Sequence, residues 1–209
     1  MRAAFLTRAV SETVPRGPEN AQNLLEHLLP GRPIHCMAQV HGAAIRRAED
    51  LAEGEIPECD GLVSADPGRI LCVRTADCVP VLAYDAAAGV SGAFHAGWRG
   101  LAGGIVVEGL ERLRSLGATN IRVAIGPAIG PCCFEVGPEV VEGLGAEFAC
   151  GNGASVHLDL WRAAQAQALA AGVASADIQV VRLCTCCQDK LFFSYRRERE
   201  SAGRNLSII

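Results

Sequence analysis

Three apolar runs of strand length follow one another in the middle of the chain, at residues 70–74, 79–84 and 89–95. Turn signals divide them, and no helix-length segment lies between. A parallel sheet would need long crossovers there, so this part of the chain reads as hairpins. Further strands are expected at 3–6, at 34–40 running into His41-Gly42, and at 121–125, 178–183 and 191–195. Helical periodicity marks 20–29, where Ala21, Leu24, Leu25 and Leu28 fall on one face. It also marks 101–116, weakened in its first turn by Gly103-Gly104, and 138–148. Asp159 reads as the N-cap of a helix reaching 171. Residues 11–18 read as a loop, and 48–57 as an acidic surface stretch. Strands and helices mix without strict alternation. The expected class is α+β, one domain over 1–209, with helices covering a mostly antiparallel or mixed sheet system.

Composition narrows the function classes. Half of the 209 residues are apolar and only 5% aromatic, so the core must be built from Ala, Val, Leu and Ile. A net charge of −4 argues against nucleic acid or an anionic membrane as a partner held by bulk charge. No apolar run approaches the roughly 18–20 residues of a membrane span. The first residues carry no signal-peptide pattern, so the expectation is a cytoplasmic monomer with reduced thiols. Most of the ten cysteines should then serve as small buried hydrophobes.

Four segments exceed what a core requires: QVHG (39–42), TADC (75–78), FHAGWRG (94–100) and GPAIGPCC (126–133). Each stands at the end of an expected strand, where sites tend to sit on a rigid scaffold. His41, Cys78 and His95 offer two imidazoles and a thiolate, the ligand number of a catalytic zinc with an open position. The same residues also permit a nucleophilic Cys78 with His95 as its base and Asp77 or another carboxylate orienting it. Two hydrogen-bonded turn histidines and a filler thiol would look no different by spacing. Cys184-Thr185-Cys186-Cys187 contains a C-x-x-C, but its only partner pair is the adjacent Cys132-Cys133. Adjacent residues of a strand point to opposite faces, so the tetrad reads as a turn with buried thiols. Arg99 beside His95 suits an oxyanion such as phosphate, or a surface ion pair. The loop 126–131 reads as a rigid wall, since Pro127 and Pro131 remove backbone donors.

In order along the chain stand QVHG, DGLVS (60–64), TADCVPVL, HAGWRG, AIGPAIGPCCFEVG (124–137), HLDLW (157–161), CTCC followed by FFSYRR (192–197), and Gly203-Arg204. Together they resemble the laccase-domain family, also called the YfiH-type polyphenol oxidase or purine nucleoside phosphorylase family. The resemblance covers residue 39 to the C-terminus. It implies an α/β/β/α sandwich of mixed sheets like that of the cytotoxic necrotising factor toxins. It implies one zinc on His41, Cys78 and His95, with copper as the alternative from older descriptions of phenol oxidases. It implies phosphorolysis of adenosine, inosine and 5′-methylthioadenosine, and deamination of adenosine. On that footing Asp77 or Glu135 would shuttle protons and Arg99 would hold phosphate. Five histidines are too few for three conventional copper sites. The chain departs from the family's pattern near the N-terminus. A Ser-Leu-Asn-Leu-Gly-like segment expected to border the pocket is missing between Val10-Ser11 and the helix at Asn20.

Overall fold

The central runs form as strands but divide between two sheets. The structure is a computed structural model and describes residues 3–11, 17–151 and 155–209. Its strands are β1 (Ala4–Phe5), β2 (Ile34–His35), β3 (Ile45–Arg47), β4 (Gly61–Ser64), β5 (Ile70–Thr75), β6 (Val79–Asp85), β7 (Val90–Ala96), β8 (Arg122–Ile125), β9 (Glu135–Val136), β10 (Ala149–Cys150), β11 (Val156–Leu158), β12 (Ile178–Val180) and β13 (Asn205–Ile208). The helices are α1 (Arg8–Ser11), α2 (Pro18–Leu28), α3 (Trp98–Ala102), α4 (Ile105–Ser115), α5 (Pro138–Leu144), α6 (Leu160–Ala170) and α7 (Tyr195–Glu198). A six-stranded mixed sheet has the order β12-β8-β6-β7-β4-β3, and a four-stranded sheet the order β1-β13-β5-β2. The antiparallel set β10-β11-β9 is separate.

Strand alternation explains the layering. In β6, Val79, Val81 and Ala83 face a core shared with α4 and α6, whereas Leu82 faces the other way. Leu82 meets Leu71 and Val73 of β5, with Leu62, Ala93, Met37 and Ile209 around them. The opposite face of β5 sends Ile70 and Cys72 towards Ala21 and Leu25 of α2. The layers are therefore helix, four-stranded sheet, six-stranded sheet, helices, as the resemblance implies. Strands buried on both faces read as continuous apolar runs, which is why β5, β6 and β7 were legible.

Several expectations fail locally. The helix over 101–116 is two helices, because Gly104 adopts a left-handed φ of 75° and separates α3 from α4. Residues 191–195 form no strand: Phe192 and Phe193 are buried from an irregular segment, and Tyr195 opens α7. The strand of that region is β13 instead, paired to β5. Of 34–40 only β2 is a strand, with an isolated bridge at Ala38. The helix over 138–148 ends at Leu144 and is followed by a short 3-10 turn. In the expected loop at 11–18, residues 12–16 lie outside the described residues, and Pro18 already belongs to α2. Among the described residues no helix is long and apolar enough to cross a membrane.

Candidate metal centre and active site

Sheet register assembles the site. The β6–β7 hairpin pairs His95 with Pro80 and so sets Cys78, just before β6, near the end of β7. The β4–β7 pairing puts Gly61 opposite Phe94, so Asp60 adjoins His95, whose N–H donates to the Asp60 carbonyl at 2.7 Å. The Asp60 carboxylate is fully buried and organises the rest. It accepts the backbone N–H groups of Val40 (3.3 Å), His41 (3.0 Å) and Gly42 (2.7 Å). Those bonds hold His41 at a φ of 62°, a left-handed conformation unfavourable for a side chain. Asp60 also takes the Nδ1 proton of His95 at 2.7 Å. That orients the ring and turns Nε2 towards Cys78, the nitrogen that would face a metal.

The result is a compact N,N,S set. One donor atom each from His41, Cys78 and His95 lie within 4.8 Å of one another. The two imidazoles stand edge to face, centroids 4.9 Å apart. Close approach explains two glycines of HAGWRG: a Cβ on Gly97 would stand 3.1 Å from Cys78 Sγ, and one on Gly100 2.8 Å from the Gly42 carbonyl. Electrostatics agree with the geometry. Burial pushes the Cys78 thiol up, but the His95 charge and the hydrogen bonds of His41 and His95 outweigh it, bringing the pKa down to about 6. Burial pushes His95 down, but the Cys78 thiolate and the Asp60 carboxylate outweigh it and raise it to about 9. Burial likewise opposes ionisation of Asp60, yet the His95 and Gly42 bonds leave its pKa lowered. Three protein donors of this kind fit a catalytic zinc with a position open to substrate.

The triad opens into a cavity of about 560 Å³, within the range of small-molecule sites. Three arginines line it, Arg74, Arg196 and Arg204, together with Gln39, Phe134, Ile129 and Tyr195. Gln39 clamps the backbone of Arg74 from both sides, accepting from its N–H (2.9 Å) and donating to its carbonyl (2.7 Å). The Arg74 Nε is buried and has no hydrogen-bond partner among the described residues. Arg196 is committed to the wall, donating to the carbonyls of Cys133 and Glu135 at 3.0 Å each.

Other expected residues fare differently. Asp77 lines the cavity in a left-handed conformation, φ 96°. Both its carboxylate oxygens are engaged, by Thr185 Oγ1 (2.7 Å) and the Arg196 N–H (2.6 Å). Arg99 is not among the cavity-lining residues. It is exposed on α3 with its guanidinium 4.4 Å from the Trp98 ring centroid, because the helix start at Gly97 turns it out of line with β7. Glu135 is exposed in β9 and lines no part of the cavity. The loop 126–131 does form a wall, with Ile129 at the cavity and the Gly126 carbonyl bonded to Trp161 Nε1 at 2.9 Å. Asp159 caps α6 by accepting from the Arg162 N–H. Asp60, which bonds the His41 backbone and His95, and Arg74, which lines the cavity, were not singled out as candidates, although DGLVS begins with one and TADC directly follows the other.

Residues 6–209 match the family model described as multi-copper polyphenol oxidoreductase laccase. The chain belongs to this family. Purine nucleoside phosphorylase YlmD of Geobacillus stearothermophilus is 41% identical over 197 residues, covering 83% of this chain and 70% of that protein. An adenosine deaminase from an unknown prokaryotic organism is 36% identical, covering 88% of this chain and 75% of that protein. The chain spans 60% to 75% of the length of three such relatives. The crystal structure of Bacillus licheniformis YfiH superposes with a TM-score of 0.87 at 28% identity, over 99% of this chain and 91% of that one. Its likeness confirms the layered α+β fold of this family of enzymes.

Proposed function

We propose that residues 1–209 form a single-domain, zinc-dependent purine nucleoside phosphorylase with adenosine deamination as a second reaction. The observation that carries this reading is the His41–Cys78–His95 donor set in the wall of an arginine-lined cavity. Relatives named for both reactions support it. Zinc held there would supply Lewis acidity to the substrate or to a water molecule.

The chain's own residues would do the rest. Phosphorolysis needs phosphate beside ribose C1′ as the base departs. Arg74 is the residue best suited to hold it, since it lines the cavity beside the triad and its backbone is fixed by Gln39. This is the role that sequence gave to Arg99. Arg204 adds charge, and Phe134 and Tyr195 offer rings for the purine. Asp60 orients His95 and the His41 loop. Asp77 acts as a positioning carboxylate, because taking a proton from substrate would compete with its bonds to Thr185 and Arg196.

Cys78, His95 and Asp60 also line up as thiol, imidazole and carboxylate, as a cysteine hydrolase would need. Such a triad has no use for a second imidazole. Here His41 is forced into a left-handed conformation to reach the same point, which favours a metal. Chromatography of inosine incubated with and without phosphate tests the proposal. Hypoxanthine formed only with phosphate supports it. Turnover indifferent to phosphate and metal, but abolished by alkylation of Cys78, would establish the hydrolase instead.

A further inference from the structure

Residues 184–187 make the expected turn, but its thiols are not all buried: Cys184 is buried, Cys186 half-buried and Cys187 exposed. Cys132 and Cys187 are exposed, and Cys132-Cys133 sit in a turn after Pro131, not in a strand. The alternation that would send adjacent side chains to opposite faces therefore does not apply. Cys187 Sγ stands 3.6 Å from Cys132 Sγ and 3.4 Å from Cys133 Sγ. The sulfurs of Cys132, Cys133, Cys184 and Cys187 all lie within 4.8 Å of one another. Four thiolates about 2.3 Å from a tetrahedral zinc stand about 3.8 Å apart, so sulfurs 3.4 and 3.6 Å apart, with none beyond 4.8 Å, are placed to close on one ion with small side-chain shifts. Two of the ligands come from a C-x-x-C turn. Its first sulfur, Cys184, receives the backbone N–H groups of Gly130 (3.2 Å) and Cys187, bonds that strengthen when the acceptor is a thiolate.

We propose that Cys132, Cys133, Cys184 and Cys187 form a second, structural metal site for a thiophilic tetrahedral cation of the zinc class. On binding, four thiols lose their protons to solvent and four metal–sulfur bonds form, with no change in oxidation state. The site stands apart from the His41–Cys78–His95 centre but staples the two loops that build that centre's wall. The loop with Cys132-Cys133 continues into Phe134, and the Cys133 carbonyl holds Arg196. The loop with Cys184 is joined to the first through the Ala128–Cys184 bridge, and its Thr185 holds Asp77. Arg197 closes the second loop by donating to the Thr185 and Cys186 carbonyls. A metal at the crossing of these loops fixes the positions of Phe134, Asp77 and Arg196.

Cobalt titration of the reduced, metal-stripped full chain tests the assignment. Wild type is expected to take up two cobalt ions per chain and to develop the strong near-ultraviolet sulfur-to-cobalt absorption of a tetrathiolate. Cys132→Ser/Cys187→Ser should bind one ion and lose most of that absorption. His41→Ala/His95→Ala should also bind one but keep it. Loss of the other equivalent in that second variant reports the histidine centre, so failure of one site is distinguishable from failure of the other. Wild type binding a single ion without tetrathiolate absorption would overturn the proposal, even if the serine variant failed to fold. So would a disulfide among the four cysteines in protein isolated under anaerobic conditions.

Discussion

Asp60→Asn is the most informative single change, because one buried carboxylate serves four donors through two oxygens. Oδ1 takes His95 Nδ1 and the His41 N–H, and Oδ2 takes the N–H groups of Val40 and Gly42. Asparagine keeps the shape but offers a single acceptor oxygen and a donor NH2. Whichever way the amide turns, two donors lose their acceptor. Only the His95 bond is buried, and the three backbone bonds are part-buried, so water offsets part of the loss and the variant should lose about 1–3 kcal/mol. Its effect on metal should follow that of other partners of ligating histidines, a 10- to 100-fold weakening, or about 1.4–2.7 kcal/mol. Urea unfolding reads the first quantity, and zinc competition against a chromophoric chelator reads the second. A variant with an unchanged urea midpoint and zinc affinity within about threefold of wild type would refute the organising role of Asp60.

The remaining expectations address binding, packing and pH. Arg74→Met should raise the phosphate KM about 10-fold or more while moving the nucleoside KM less, since a charge-assisted hydrogen bond is worth about 1.5–3 kcal/mol. Equal effects on both constants would place phosphate elsewhere. Gly100→Ala puts a methyl group 2.8 Å from the Gly42 carbonyl and should destabilise the fold by about 1–3 kcal/mol in chemical unfolding. In metal-stripped protein, alkylation of Cys78 by iodoacetamide should rise with a midpoint near pH 6, and His95→Ala should move that midpoint upward. Asp85 accepts four backbone N–H groups, from Ala87, Ala88, Thr119 and Asn120, which lower its pKa to about 2. Its folded pKa lies below the unfolded value of about 3.9, so its contribution is complete above that value and is lost as pH falls towards 2. Asp85→Ala should therefore flatten the acid limb of a melting curve measured against pH.

The layered fold was legible where both faces of a strand are buried, as in β5, β6 and β7. It was illegible where the pattern changes within a segment. Phe192 and Phe193 look like a strand but are buried from an irregular segment. No strand was expected at Leu206 and Ile208, which lie in β13 between β1 and β5 of the four-stranded sheet. The His41–Cys78–His95 donor set was visible as residue types at strand ends, yet its three members are far apart in sequence, and only register brings them together. Asp60 escaped notice because an acidic residue at the start of a strand carries no local sign of the four donors it will meet. Arg99 misled because four residues after His95 span a strand end, a turn and a helix start, and the helix turns the side chain away. The cysteine cluster misled for a related reason: the objection to adjacent thiols assumed a strand where the chain makes a turn.

If His41, Cys78 and His95 hold the metal on which phosphorolysis depends, turnover must follow zinc. The direct test is the initial rate of hypoxanthine formation from inosine and phosphate, measured for metal-stripped protein as zinc is added back, with His95→Ala in parallel. The expected result is no turnover without zinc, restored turnover with it, ribose 1-phosphate equal to hypoxanthine, and no recovery in His95→Ala. Full activity of the stripped protein, or of His95→Ala, would rule out metal-dependent phosphorolysis at this donor set.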